Sequence, residues 1–72
     1  MDKFQIGKNA GKVWDLLNDN KRWSYSDLKK ASKLSDRELN AAIGWLAREN
    51  KIDFECSDQD DHLFLSVNVY IG

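Results

Sequence analysis

The chain predicts a small α+β fold in which three helices and one short strand precede a β-hairpin. Three observations carry that prediction. An apolar stripe of helical period runs through Ala10, Val13, Trp14 and Leu17. A Ser35-x-x-Glu38 capping box opens a second such stripe at Leu39, Ala42, Ile43 and Leu46. After Lys51 the apolar period changes from 3.6 to 2.

The first stripe predicts a helix over residues 8–20, started at Asn9 or Gly7 and ended by Asn18-Asp19-Asn20, residue types that prefer turns. Gly11 inside it costs up to about 1 kcal/mol relative to Ala, so it marks a close approach of another backbone. Trp14 belongs to the core stripe. Trp23-Ser24-Tyr25 alternates and is aromatic, as in a brief strand, with Trp23 and Tyr25 packing over a small sheet. Ser26 is then the N-cap of a short helix through Leu28 and Ala31, with Asp27 in its first turn and Ser32-Lys33-Leu34 breaking it. The capping box starts a third helix over 36–50. Ile52, Phe54 and Cys56 alternate with Asp53 and Glu55 on a half-buried strand. Ser57 to Asp61 form the turn, and a longer strand over 62–71 follows, alternating through Leu63, Leu65, Val67, Val69 and Ile71.

Helix, short strand, helix, tight turn, helix, two-stranded wing is the order of a winged helix-turn-helix. Small Ala31 lets the second and third helices approach, and Leu34 plugs the turn between them. All 72 residues are expected in this one domain, which at that size buries only about 60% of its unfolded surface. There is no run of 18 apolar residues and no apolar leader after Met1, so no membrane contact and a cytoplasmic location are expected. A single cysteine cannot form an internal disulfide.

Two stretches carry a family resemblance. Ile6-Gly7-Lys8-Asn9-Ala10-Gly11-Lys12-Val13-Trp14 and Ala41-Ala42-Ile43-Gly44-Trp45-Leu46-Ala47-Arg48-Glu49-Asn50-Lys51-Ile52 resemble a family of short stand-alone winged helix-turn-helix proteins of bacteria and archaea, catalogued as a domain of unknown function. The resemblance covers nearly the whole chain. It implies the fold and a DNA-binding role, and it carries over no catalytic or ligand-binding residue.

Double-stranded DNA is the expected partner. The net charge is −1, but residues 1–51 hold all 11 Lys and Arg against 7 acids, whereas residues 52–72 hold five acids and no base. At 100° per residue, Arg37, Ala41, Gly44 and Arg48 face away from the core side of the third helix, with Asn40 and Trp45 on its flanks. Arg37 and Asn40 are types that pair with guanine and adenine edges. Lys29, Lys30 and Lys33, with the hydroxyl of Ser35, stand where phosphate contacts would position the domain, and Arg48 extends that face. Asp58, Asp60 and Asp61 would repel a phosphate backbone, so the wing tip argues against its own contact with DNA. Trp45 is expected to pack over the wing.

The alternative is a protein-interaction or dimerisation module that does not bind DNA. Its expected contacts are the surplus of the last strand, Val67, Val69, Tyr70 and Ile71, pairing with Phe4 and Ile6 as an added strand or with a second protomer. A homodimer is expected, since two reading helices suit a palindromic site. An enzyme is not expected. His62 and Cys56 are each single in the chain and would face each other across the hairpin with no cleft, Cys56 reading better as a small buried hydrophobe. No zinc spacing, calcium loop or phosphate-binding glycine loop occurs, so no cofactor, metal or small-molecule substrate is expected.

Overall fold

The computed structural model describes residues 2–19, 21–56 and 61–65. Helix α1 spans Lys3–Leu17, strand β1 Trp23–Ser24, helix α2 Tyr25–Ser32, helix α3 Asp36–Arg48, strand β2 Ile52–Glu55 and strand β3 His62–Leu65. The three strands form one antiparallel sheet in the order β1-β3-β2. The expected two-stranded wing therefore has β1 as a third strand along its inner edge, with Trp23 opposite Leu63.

Helix α1 starts well before Gly7 or Asn9, because Asp2 caps it. The Asp2 carboxylate accepts the backbone N–H of Gln5 at 2.8 Å, and its carbonyl accepts that of Ile6 at 2.9 Å. The apolar pattern hid those five residues, since Phe4 lies 81% exposed and Ile6 is only half-buried. Phe4 and Ile6 are thus helical and do not form a strand beside β3. The remaining expected strand contacts, Val67, Val69, Tyr70 and Ile71, lie outside the described residues, as do Asp58 and Asp60.

Ser24, and not Ser26, caps α2: its hydroxyl accepts from the N–H of Asp27 at 3.1 Å, so Tyr25 opens the helix and leaves the strand. Lys33 ends α2 in the left-handed region (φ 61°), its N–H closing on the carbonyl of Lys29 at 3.0 Å. The residue buried at the end of α2 is Ser32; Ala31 is exposed. Ser32 tolerates burial because its hydroxyl donates to the Lys29 carbonyl at 3.2 Å and accepts from the N–H of Leu34 at 3.3 Å. Leu34 packs half-buried against the core, as expected of the turn plug.

Both arms of the capping box are made: Glu38 N–H donates to the Ser35 hydroxyl at 3.2 Å, and Ser35 N–H donates to the Glu38 carboxylate at 3.0 Å. Ser35→Ala removes the side-chain acceptor and should lower the unfolding free energy by about 1 kcal/mol in a urea titration. Helix α3 ends two residues earlier than expected, at Arg48, where Asn50 takes a left-handed conformation (φ 57°) and the N–H of Lys51 returns to the Leu46 carbonyl at 3.0 Å.

The core joins all three helices to the sheet through Ala10, Val13, Leu17, Leu28, Leu39, Ala42, Ile43, Leu46, Ile52 and Leu63. Four sequence expectations fail around it. Trp14 stays 38% exposed at the margin. Gly11 faces open space, with nothing among the described residues within 4 Å of where a Cβ would stand, so none of their backbone approaches it. Trp45 leans over Gly7 of α1, 3.6 Å from the place of its absent Cβ, instead of covering the wing. Only Ile52 of the β2 alternation is buried, whereas Phe54 and Cys56 are exposed. In the hairpin register Glu55, not Cys56, stands across from His62. A clip outside the core closes the sheet: the Arg22 guanidinium pairs with the Glu55 carboxylate and lies 4.7 Å over the Phe64 ring.

Candidate nucleic-acid interface

Helices α2 and α3 meet through the turn at Lys33 and Leu34. The N-terminus of α3 and the basic C-terminus of α2 therefore stand side by side. Lys29 and Lys30 lie in the last turn of α2, where cations complement the helix dipole, and Lys33 follows as its C-cap. Around them opens a depression of about 590 Å³ bounded by Tyr25, Lys29, Lys30, Lys33, Leu34 and Asp36.

Three groups fix its geometry. The Tyr25 hydroxyl donates to the Asp36 carboxylate at 2.9 Å, and the Lys29 ammonium lies 3.3 Å from the same oxygen. The Tyr25 hydroxyl first, and then Lys29, hold the Asp36 carboxyl below the usual carboxylate range. Desolvation, followed by the hydrogen bond to the Asp36 carboxylate, raises the Tyr25 phenol. Asp36 is therefore a permanent negative charge at neutral pH, and it occupies Lys29. Glu38 is likewise held low, chiefly by the Ser35 backbone N–H of the capping box.

The other expected residues stand as follows. Lys30 and Lys33 are exposed and make no ion pair with any described residue. Arg37, Asn40, Gly44 and Arg48 are exposed along α3, with Ala41 half-buried among them. A Cβ at Gly44 would meet nothing within 4 Å, so the helix backbone is bare in the middle of this face. Ser35, between Leu34 and Asp36, is exposed, its hydroxyl oxygen already used by the cap. The depression and the α3 face are thus brought together, with Arg48 one helix length away from Lys33. Strand β2 presents Asp53 and Glu55, and Asp61 stands just ahead of β3, all exposed.

Sequence reasoning missed Tyr25 and Asp36 as a pair. Tyr25 read as a strand aromatic, and Asp36 only as the first residue of the third helix. Their contact crosses the helix-turn-helix at a separation of 11 residues, for which no local spacing rule exists. The S-x-x-E box at Ser35 places Asp36 in the first turn of α3, but nothing in the sequence aims Tyr25 at it.

A three-helix core with a helix-turn-helix, backed by a hairpin whose middle strand also pairs with a short strand ahead of α2, defines a winged helix-turn-helix protein. The chain belongs to the family described as winged helix-turn-helix domain (DUF2582), whose sequence model matches residues 1–65. It is 41% identical over 51 residues to the uncharacterized protein MJ1608 of Methanocaldococcus jannaschii, a match spanning 67% of this chain and 71% of that protein. Among solved structures it resembles the solution structure of protein BT2368 from Bacteroides thetaiotaomicron, at 40% identity and a TM-score of 0.79 over 90% of this chain and 79% of that one. Reduced HlyU from Vibrio cholerae shares the fold at 21% identity and a TM-score of 0.74, covering 90% and 70% of the two chains. A structure concerned with the DNA recognition and protein interaction domains of HOP2 shares it at 22% identity and a TM-score of 0.67, covering 79% and 97%. No helix among the described residues is long and apolar enough to cross a membrane.

Proposed function

We propose that this chain binds double-stranded DNA through the exposed face of α3 and acts in transcription regulation. One observation carries the reading: Arg37 and Asn40 emerge exposed from the first turns of α3 beside the cationic depression that holds Lys30 and Lys33. Such a helix-turn-helix lays its second helix in the major groove, where N-terminal side chains reach base edges while neighbouring cations take phosphates. Ala41 and Gly44 suit that approach, because they leave the middle of the face without bulk. The acidic sheet stays off the phosphates, so α3 and the end of α2 supply the contacts.

The test is binding of the purified protein to a mixed-sequence duplex, by fluorescence anisotropy, across a salt series. Affinity should fall by about fortyfold or more between about 50 and 200 mM salt, as expected when three or more phosphates release counterions. Absence of binding at the lower salt would remove this reading.

A further inference from the structure

We infer that a slot between α1 and the end of α3 binds a free aromatic α-amino acid. Four large apolar side chains lie exposed among the described residues, and two of them, Trp14 and Trp45, line this one slot of about 150 Å³. Gly7 and Gly11 of α1 line it too, with Glu49 and Lys51 from just past α3. Trp45 covers Gly7, so the open part lies at Gly11, where nothing among the described residues stands within 4 Å of the place of a Cβ. A glycine inside a helix costs stability, and here no close approach among those residues offsets that cost. The side chain missing at Gly11 leaves room for a ligand between two indoles.

Size and charge select the occupant. A cavity of this volume holds one benzene ring, well short of a drug-sized molecule. Indole walls favour a second aromatic ring, through offset or edge-to-face contact of the π systems. The two charges lining the slot have opposite signs. The Lys51 ammonium lies 5.3 Å from the centre of the Trp14 ring, and neither it nor Glu49 forms an ion pair with a described residue. The ammonium repels a cationic ligand and the carboxylate an anionic one, whereas a hydrocarbon would shield both from water without a partner for either. A zwitterion satisfies both: its carboxylate meets Lys51 and its ammonium meets Glu49, while the ring settles over Gly11. Phenylalanine is the simplest molecule with that pattern. The first residue of a peptide brings only the ammonium and the last only the carboxylate, so the free amino acid is the better match. None of Lys30, Lys33 and Arg37 lines the slot, and the site stands whether or not the chain binds DNA.

The measurement is two-dimensional NMR of the isotopically labelled full chain, titrated with L-phenylalanine to about 20 mM and followed through its three tryptophan indole N–H signals. Those of Trp14 and Trp45 should shift saturably, with a Kd between about 0.1 and 5 mM as befits a ligand of this size. That of Trp23, which donates to Asp19 at 3.2 Å and does not line the slot, should stay in place. Phenethylamine and phenylpropionate, each lacking one charge, should bind at least about tenfold more weakly, and Lys51→Gln and Glu49→Gln should each cost the amino acid at least about fivefold. Gly11→Leu, which fills the slot, should abolish the shifts while raising the melting temperature by about 3–6 °C through helix propensity, so that lost binding is not lost folding. Absence of a saturable shift at Trp14 and Trp45, or binding unchanged in Gly11→Leu, overturns the proposal. An amine or an acid that binds as tightly as the amino acid overturns the zwitterion.

Discussion

Leu39→Ala is expected to lower the unfolding free energy by about 2–5 kcal/mol and the midpoint of thermal unfolding by at least about 10 °C. Leu39 is wholly buried, in the first full turn after the Ser35 cap, within the cluster that joins α3 to α1, α2 and the sheet. Truncation removes apolar contacts and leaves a cavity that three rigid helices cannot close. A domain of this length holds only about 4–11 kcal/mol in total, so the loss takes a large share and the variant should be partly unfolded near body temperature. Chemical denaturation followed by tryptophan fluorescence reads it directly. The matching change at Phe4, which is exposed, should stay within about 0.5 kcal/mol. If the two variants were equally stable, the division between core and surface described above would be wrong.

The second large effect concerns the reading face. Replacing Lys30, Lys33 and Arg37 together by Ala should lower duplex affinity at least about thirtyfold at moderate salt and reduce the slope of log affinity against log salt by about 2–3, one step of about 0.9 per lost phosphate contact. Lys29→Ala should do much less, because that ammonium already pairs with Asp36. Asp36→Asn should act in the opposite direction. It removes a charge that repels phosphate and frees Lys29, for a gain of about three- to tenfold at low salt that fades as screening rises. The same substitution weakens the Tyr25 and Lys29 contacts that brace the two helices, so tighter binding should come with a lower melting temperature. A triple variant that bound duplex as well as the wild type would move the interface elsewhere, whatever the behaviour of Asp36→Asn.

Local chemistry in the sequence determined a good deal by itself. The Ser35–Glu38 box, the stripe through Leu39, Ala42, Ile43 and Leu46, the breaker around Lys33 and the period change after Lys51 each act over four to eight residues. From them the element order, the buried side of α3 and hence the outward Arg37, Gly44 and Arg48 could be read before any coordinates. The Asp2 cap of α1 is local as well, reaching only to Gln5, but apolar periodicity does not show it; it extends the helix five residues ahead of the expected start and places Phe4 and Ile6 on a helix and not on a strand. Tertiary structure decided what depended on distant partners. Trp14 looked like core, yet it stays 38% exposed, with the Lys51 ammonium 5.3 Å from its ring. Ser32 was buried in place of Ala31 because only the closed turn supplies its two hydrogen-bond partners. Tyr25 met Asp36 across that same turn, and so set which lysine is paired and which are left for a ligand. Periodicity and caps are encoded by neighbours in sequence. Pairing across elements depends on how whole helices pack, and that is settled only when the core closes.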